Sequence, residues 1–300
     1  MSVILVSCTE GIGDSIYARP FIKRLCADGH EVHVKTVLPD LYADLNVTFI
    51  DPKTVRYRTQ VKAFSKTKII FDPSPREVFN RTILYHYSPK DLRKHSIAAH
   101  MEQAFGYEVG TTKPEQMLDL PRALQPHGLD LPKGRRIAVI KPVTLRNEWY
   151  CPARAPDPEY IGWCAKMLKD AGYYVVSIAD CYEDQEWIEG DEPPADLKLH
   201  NGELSLYKTL SLLKSADIVV GGSGFIVPAA IAAGAPLFVV FGGRGQFDNP
   251  HKVFDLRMDM KKIGWALPTS FCRCEKPNHD CDKTIKDLDS QFYKFIASIS

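Results

Sequence analysis

Apolar and polar residues follow two different periods along the first fifty residues of the chain. SVILVS, EVHVKTV and VTFID are short apolar segments, and this pattern is typical of buried β-strands. Between the first two, IYARPFIKRLCADGH has the 3.6-residue apolar spacing of a helix, and Gly29 marks its end. The order of strand, helix and strand predicts a βαβ opening.

The same alternation restarts more clearly in the second half. The predicted strands are RRIAVIKP, YYVVSIAD, DIVVGG and PLFVVFGG, and the predicted helices are PEYIGWCAKMLKDAG, LSLYKTLSLLKSA and IVPAAIAAG. Gly172 and Gly234 follow two of these helices, where glycine commonly ends a helix. Near-continuous apolar strands separated by helices indicate a parallel sheet covered on both faces.

The length of the chain and a proline-containing stretch near its middle predict two domains. A chain of 300 residues exceeds the usual size of one hydrophobic core, and LPRALQPHGLDLPKG has the proline spacing of a linker. We expect Rossmann-like domains at residues 1–130 and 131–285, and a C-terminal helix at 286–300 that can pack back across the other domain. Ligands of such folds bind at the carboxyl ends of the strands, so we expect function in the cleft between two sheets.

Composition narrows the class of protein. The formal net charge is +1, with 45% hydrophobic and 25% charged residues, which gives no overall preference for nucleic acid or membrane. No apolar stretch approaches the ~20 residues that cross a bilayer, and the N-terminal apolar run is too short for a secretory signal. The sequence therefore predicts a cytoplasmic protein without a transmembrane segment.

The glycine-rich stretch EGIGDSIYARP follows the first predicted strand. It lacks the third glycine of a dinucleotide-binding loop, because Ile16 stands there, and the second strand ends in Lys35, Thr36 and Val37 rather than in an acid. These departures disfavour a dehydrogenase. Asp14 can instead be a helix N-cap. Because Pro20 would interrupt a helix, the chain from Asp14 can also be a bent connection that presents the carboxylate to an acceptor hydroxyl.

Two segments resemble a known family. Gly13 and Asp14, followed by five residues, Pro20 and an apolar helix, resemble the N-terminal motif of the heptosyltransferase-like glycosyltransferases of family 9, and LSLLKSADIVVGGSGFIVPAAIAAGAPLFVVFG is similar to their donor-domain segment. The resemblance implies a GT-B fold, with two Rossmann-like domains facing a central cleft, and an inverting, metal-independent glycosyltransferase. It implies that Asp14 is the catalytic base, that the first domain binds the acceptor and that the second binds a nucleotide sugar.

The predicted donor site begins at GGSG. Gly222, Ser223 and Gly224 follow a strand and precede a helix, where backbone N–H groups and the helix dipole can receive a diphosphate. A tight turn without a ligand is the alternative. The family has an aspartate at Gly222 and a histidine near Val227 and Pro228, and their loss makes a donor other than ADP-heptose plausible.

Cations and acids near this loop complete the predicted donor site. In KPVTLRNEWYCPAR, Arg146 is the first candidate for the diphosphate, Lys141 is the second, and Arg154 lies further along. Asp180, at the end of a predicted strand, or Glu203 can bind ribose hydroxyls. Solvated surface charge is the alternative for each of them.

The predicted acceptor domain is strongly basic. Between Lys53 and His100, eleven Lys and Arg residues stand against three acids, a formal charge of +8, with tyrosines and histidines interleaved. This concentration favours an anionic acceptor over a merely solvated face. One candidate is lipopolysaccharide core, with peripheral contact to the inner membrane, and the other is phage-type DNA carrying hydroxymethylated bases. The assigned acceptor residues are Gly13, Arg19, Arg56, Arg58 and Arg93.

A cysteine cluster follows the second predicted domain's last strand. Cys272, Cys274, His279 and Cys281 lie within ten residues, and this density predicts a structural zinc site, with surface thiols or a disulfide as alternatives. We expect catalysis to require no other cofactor. Two further functions compete: a nucleotide-sugar epimerase, which would leave the basic segment unexplained, and a non-catalytic module that binds nucleotide sugar or nucleic acid.

Overall fold

The computed structural model of the chain describes residues 1–7, 11–52 and 79–299, and these form two compact units, Met1–Leu124 and Gln125–Ser300. The part of the basic segment between residues 53 and 78, including Arg56 and Arg58, lies outside the described residues. Each unit is an α/β fold built on a parallel sheet.

The first unit contains a four-stranded sheet in the order β3-β2-β1-β4. Its strands are β1 (Val3–Ser7), β2 (Glu31–Lys35), β3 (Val47–Ile50) and β4 (Arg81–Leu84). All three pairings are parallel, and Val3 stands opposite Glu31 where β1 meets β2. Parallel neighbours require a crossover, and helix α1 supplies the one between β1 and β2.

In the described residues of the first unit, the helices are α1 (Ile12–Ala27), α2 (Pro89–Leu92) and α3 (Ile97–Ala104), with 3₁₀ turns at Pro39–Tyr42 and Pro114–Gln116. Helix α1 continues through Pro20, so the expected bent connection after Asp14 is wrong. Burial of most of α1 explains this outcome: Ile16, Phe21 and Ile22 are almost fully buried, and their packing offsets the hydrogen bond that Pro20 cannot donate.

The second unit contains a six-stranded parallel sheet in the order β12-β11-β10-β5-β7-β9. Its strands are β5 (Ile137–Ile140), β7 (Tyr174–Ile178), β9 (Leu197–Leu199), β10 (Ile218–Gly222), β11 (Leu237–Val240) and β12 (Ile263–Ala266). A separate antiparallel pair, β6 (Thr144–Arg146) and β8 (Glu186–Ile188), projects from the loops that follow β5 and β7.

Five helices belong to the second unit. They are α4 (Pro158–Asp170), α5 (Leu206–Lys214), α6 (Ile226–Ala233), α7 (Pro250–Val253) and α8 (Leu288–Ile299), with 3₁₀ turns at Asn147–Trp149 and Met260–Lys262. Asp157 and Ser205 cap α4 and α5 by accepting hydrogen bonds from backbone N–H groups. Gly234 follows α6 with φ of 73°, which explains glycine there. Of the helices in the described residues, none has both the length and the apolar character to cross a membrane.

The last helix packs on the sheet of its own unit. Phe292 is fully buried, with its ring centroid 4.8 Å from that of Phe238 in β11, and Phe295 lies 5.6 Å from the same ring. Gly264 in β12 leaves room for Phe295, because a Cβ at this position would lie 2.6 Å from its ring. The apolar face predicted for this segment is thus used to close the core of the second unit.

Candidate active site

Asp14 lies in the first turn of α1. The N-cap residue is Gly11, which offers no side-chain hydrogen bond, so Asp14 is the third residue inside the helix and not its cap. A carboxylate in the first turn is favoured by the positive end of the helix dipole. The Tyr87 hydroxyl donates a hydrogen bond of 2.6 Å to Asp14 Oδ1. The side chain is therefore held at the end of the helix, close to the carboxyl end of β1.

Gly11 makes room for the other oxygen of this carboxylate. A Cβ at Gly11 would lie 2.8 Å from Asp14 Oδ2, closer than side chains approach each other in proteins. The backbone of Gly11 is extended, at φ −88° and ψ 137°, so glycine is not required there for conformation. Its role is steric, because it allows the Asp14 carboxylate to fold back over the start of the helix.

Tyr87 was not singled out as a site residue from the sequence. It follows β4, which brings it beside the start of α1, and its ring makes an edge contact with His100 at 6.2 Å. His100 Nε2 lies 3.2 Å from the backbone carbonyl of His86. Tyr87 was visible in the sequence among the tyrosines and histidines of the basic segment, but its position beside Asp14 follows only from the pairing of β4 with β1.

The structure corrects the assignment of Arg19 to the acceptor site. Its side chain is 1% exposed and forms a bidentate pair with Asp44, at 2.8 and 2.9 Å, and a contact of 3.2 Å with Asp119. Burial acts to raise the pKa of Asp44. The hydrogen bonds from Arg19 and from the Arg122 backbone, together with the positive charge of Arg19, outweigh burial and hold that pKa below its usual value. The guanidinium is thus a structural group inside the first unit and does not face an acceptor.

The remaining predicted acceptor residues are dispersed. Gly13 is the second residue of α1 and adjoins Asp14, while Arg93 follows α2 with its side chain exposed. Arg56 and Arg58 lie among the residues that are not described. Of the predicted acceptor residues, Gly13 is therefore the one placed directly at Asp14.

The predicted donor loop connects β10 to α6, as expected from the sequence. A Cβ at Gly222 would lie 3.0 Å from Pro156 Cδ, and a Cβ at Gly224 would lie 3.3 Å from Arg154 Nη2. These glycines therefore allow another segment of the chain, residues 154–156, to pack closely on the loop. The same packing leaves little room for an acid at position 222.

Arg154 and Asp248 hold Ser223 from two sides. Arg154 donates from Nε and Nη2 to the Ser223 carbonyl, at 3.0 and 2.5 Å, and its Nε lies 3.3 Å from Asp248 Oδ1. The Ser223 hydroxyl donates to the same Asp248 oxygen at 3.1 Å. The Trp149 ring lies 5.2 Å from the Arg154 guanidinium carbon. Together these contacts fix the GGSG loop.

The two cations preferred from the sequence occupy neighbouring positions. Arg146 ends β6 opposite Glu186 of β8, with its guanidinium carbon 5.7 Å from the centre of the Trp149 ring. Lys141 follows β5, its backbone N–H donates to Val220 in β10, and its Nζ donates to Thr144 Oγ1 at 2.9 Å. Burial lowers the pKa of Lys141 from its ordinary value.

Asp180 lies beside a cavity at the carboxyl ends of β7 and β9. It forms an isolated bridge with Asn201, and the cavity, of about 570 Å³, is lined by Tyr182, Trp187, His200 and Asn201 among others. His200 Nε2 lies 2.8 Å from Ser177 Oγ, and its Nδ1 lies 3.2 Å from Glu192 Oε1. Since Ser177 is fully buried, this chain of hydrogen bonds orients His200 at the cavity wall and exposes no nucleophile.

The predicted metal ligands meet in space. The donor atoms of Cys272, Cys274, His279 and Cys281 all lie within 4.8 Å of one another. The Cys274 and Cys281 sulfurs are 3.5 Å apart, and His279 Nδ1 is 3.3 Å from the Cys281 sulfur. Tetrahedral zinc with Zn–S bonds of ~2.3 Å places its sulfur ligands ~3.8 Å apart, so the set is close to the size of such a site.

The loop that carries the cluster is joined to the segments around the donor loop. Pro277 accepts a backbone hydrogen bond from Ala153 at 2.9 Å, and Gly245 donates to Cys272 at 2.8 Å. A Cβ at Gly243 would lie 2.2 Å from the Cys281 sulfur, so glycine at this position makes space for the cluster. The loop that carries the cluster therefore braces the residue before Arg154 and the segment that leads to Asp248.

Comparisons with known proteins identify solved structures of similar architecture. No family model and no curated protein matches the sequence. Among solved structures, the iron-containing dodecameric glycosyltransferase TibC of enterotoxigenic E. coli aligns over 100% of this chain and 77% of its own, with a TM-score of 0.67 at 16% identity. The E. coli ADP-heptose lipopolysaccharide heptosyltransferase II aligns over 97% of this chain and 99% of its own, with a TM-score of 0.59 at 14% identity. A family 9 glycosyltransferase of Veillonella parvula aligns over 88% of this chain and 85% of its own, with a TM-score of 0.56 at 12% identity.

At these identities the likeness shows the fold. The chain has the heptosyltransferase-like GT-B fold, and the expectation of two Rossmann-like parallel sheets is confirmed. The roles of individual residues do not follow from this likeness, because a fold can host unrelated functions.

Proposed function

We propose that the protein is an inverting, metal-independent glycosyltransferase that moves a sugar from a nucleoside-diphosphate donor to a hydroxyl of an anionic acceptor. The observation that carries this proposal is the placement of the Asp14 carboxylate. It lies at the head of α1, fixed between the Tyr87 hydroxyl and Gly11, in a chain with a glycosyltransferase fold.

Asp14 is the general base of the proposed reaction. It takes the proton of the acceptor hydroxyl as that oxygen attacks the anomeric carbon and the nucleoside diphosphate leaves. A single displacement of this kind inverts the anomeric configuration. Gly13, next to Asp14 in the first turn, allows an acceptor to approach, and the basic residues Arg56, Arg58 and Arg93 are proposed to attract its negative charge.

The second unit is proposed to bind the donor. Gly222, Ser223 and Gly224 offer backbone N–H groups at the start of α6, and Arg146 and Lys141 add positive charge from neighbouring segments. Such fixed donors stabilise the charge that grows on a departing diphosphate. Asp180, beside the cavity at the ends of β7 and β9, is proposed to accept hydrogen bonds from ribose.

The acceptor is proposed to be a phosphorylated glycan of the lipopolysaccharide-core type. This assignment rests on the charge of the segment from Lys53 to His100 and on the activity named for a structural neighbour, heptosyltransferase II. Because such an acceptor is membrane-anchored, peripheral contact with the membrane is part of the proposal. We place the protein in the cytoplasm, consistent with the absence of disulfides among its seven described cysteines.

The test is a donor panel followed by transfer. ADP-, UDP- and GDP-sugars, including ADP-heptose, are first screened for an increase in the unfolding temperature, since a ligand that binds only the folded state raises it. Donors that bind are then assayed for transfer to lipopolysaccharide core and, in parallel, to DNA with hydroxymethylated bases. Stabilisation and transfer to glycan are expected. Stabilisation by none of these nucleotides would contradict the proposal, and transfer to DNA alone would replace its acceptor.

We further propose that Cys272, Cys274, His279 and Cys281 bind a structural zinc ion. Three thiolates and an imidazole within 4.8 Å suit zinc, and iron is the second candidate, since TibC is described as iron-containing. Elemental analysis of freshly purified protein should give about one metal per chain, lost in Cys281→Ser and kept in Cys26→Ser, a cysteine outside the cluster. Less than about half an equivalent of either metal would contradict the site.

A further inference from the structure

Arg154 has the closest described contacts to the GGSG loop of any cation in the second unit. Its guanidinium bonds the Ser223 carbonyl through Nε and Nη2, and Nη2 lies 3.3 Å from the position of a Cβ at Gly224. The side chain is 21% exposed, so it is partly desolvated but open to a ligand. Charge-assisted contacts strengthen in such surroundings.

The contacts of Arg154 leave part of its guanidinium for a ligand. The group carries five N–H donors, and the described contacts engage Nε and Nη2. Within the part of the chain that the structure describes, no hydrogen bond is made by Nη1. We propose that Arg154, oriented by Asp248, binds the diphosphate of the donor at the GGSG loop. This inference rests on the proposed function and adds Arg154, which the sequence alone ranked behind Arg146 and Lys141, as a ligand of the diphosphate.

Asp248 acts as a positioning residue in this arrangement. Its Oδ1 receives both Arg154 Nε and the Ser223 hydroxyl, so it fixes the cation and the loop in one geometry. The sequence lacks an acid at Gly222, where the packing of Pro156 leaves little room for one. A carboxylate thus reaches the loop from a different segment, and it contacts the side of Arg154 that carries Nε.

The backbone around both residues is fixed by other parts of the unit. Gly243 donates to the Ala153 carbonyl at 2.8 Å, and Asp248 donates to the Arg244 carbonyl at 3.2 Å. The backbone beside Arg154 is therefore hydrogen-bonded to the segment that leads to Asp248, and the backbone of Asp248 is hydrogen-bonded within that segment. Preorganised donors of this kind lose little entropy when an anion binds.

The experiment compares a nucleoside diphosphate with its nucleoside. The probe is whichever of ADP, UDP and GDP binds the wild type most tightly, measured by calorimetry, with the matching nucleoside measured by competition. Arg154→Gln should weaken the diphosphate about 10- to 100-fold and leave the nucleoside within about twofold, because only the phosphates contact the guanidinium. Arg136→Gln is the matched control, since Arg136 precedes β5 at the amino ends of the strands, away from the GGSG loop at their carboxyl ends, and packs on Tyr173.

Asp248→Ala tests the positioning role. It should weaken the diphosphate about 3- to 10-fold in the wild type and add no further loss in Arg154→Gln, because residues that act as a unit are not additive. Arg154→Lys, which keeps the charge, should recover part of the affinity. These are effects on diphosphate affinity at constant nucleoside affinity, which a merely structural role would not produce.

The outcomes separate this inference from the proposed function. If the wild type binds a nucleoside diphosphate and Arg154→Gln binds it equally well, the inference is overturned and the proposed function stands. If Arg154→Gln weakens nucleoside and diphosphate alike, Arg154 is structural and the inference is again overturned. If the wild type binds none of the three diphosphates, the proposed function fails and the inference with it.

Discussion

A single methyl group added at Gly11 should displace the Asp14 carboxylate without disturbing the fold. The Cβ of Gly11→Ala would lie 2.8 Å from Asp14 Oδ2, and ordinary contact begins at 3.4 Å, so the oxygen must retreat by about 0.6 Å. The Gly11 backbone is extended and accepts alanine. A free carboxylate could move at little cost, but Oδ1 is held by Tyr87 at 2.6 Å, so the movement strains that hydrogen bond.

The two consequences of this displacement differ in size. Loss of a hydrogen bond to a charged group and a poorer N-cap together lower the free energy of unfolding by about 1–3 kcal/mol. Misplacement of a catalytic group by 1 Å costs ~100-fold in rate, so a shift of this size should lower kcat about 10-fold. Donor affinity should not change, because the donor is proposed to bind the second unit.

The assay is steady-state sugar transfer beside a thermal melt. Gly162→Ala is the matched control: Gly162 lies within α4, an added Cβ meets no atom within 4 Å, and alanine should stabilise the helix by up to about 1 kcal/mol without changing kcat. A Gly11→Ala enzyme that turns over at the wild-type rate would refute the claim that the position of the Asp14 carboxylate determines the rate.

Three further changes follow from the described contacts. Tyr87→Phe should lower kcat about 10-fold at unchanged KM for the donor, because Asp14 Oδ1 loses the hydrogen bond from the Tyr87 hydroxyl; unchanged kcat would argue against this. Asp44→Asn should lower the unfolding temperature at pH 7, where the carboxylate is paired with Arg19. Since the folded-state pKa of Asp44 is depressed, that stability is present above its unfolded value of ~3.9 and is lost as the pH falls through the folded-state pKa, so the difference between wild type and variant should shrink in acid. A difference that does not shrink as the pH is lowered would contradict it. Phe292→Ala, a fully buried ring, should lower the free energy of unfolding by about 3–5 kcal/mol in a denaturant titration, and a loss below about 1 kcal/mol would show that α8 is dispensable.

The elements with strong periodicity were predicted correctly. The helices ended by Gly172 and Gly234 and the apolar strands of the second sheet lie where the pattern placed them. The strands β4, β6, β8, β9 and β12 were not predicted. Each has only three or four residues, and such short runs carry little periodicity of their own, so tertiary pairing determines them.

The candidate site was predicted in part. Cys272, Cys274, His279 and Cys281 were expected to lie together from their spacing alone, because they are close in sequence. Arg19 was wrongly assigned to the acceptor site, because the acids that pair with it, Asp44 and Asp119, lie 25 and 100 residues further along the chain. Arg154 was mentioned but not chosen, and its contact with Ser223 depends on the packing of two distant loops. Local chemistry can be predicted from sequence, whereas pairing across the fold requires the structure.

The measurement that tests the central claim most directly is sugar transfer by Asp14→Asn. This substitution keeps the shape of the side chain and an oxygen that can accept from Tyr87, but it removes the base. Turnover should fall by at least about 100-fold while the affinity for the nucleoside diphosphate stays at the wild-type value. Turnover within about threefold of wild type would show that Asp14 is not the base and would contradict the account.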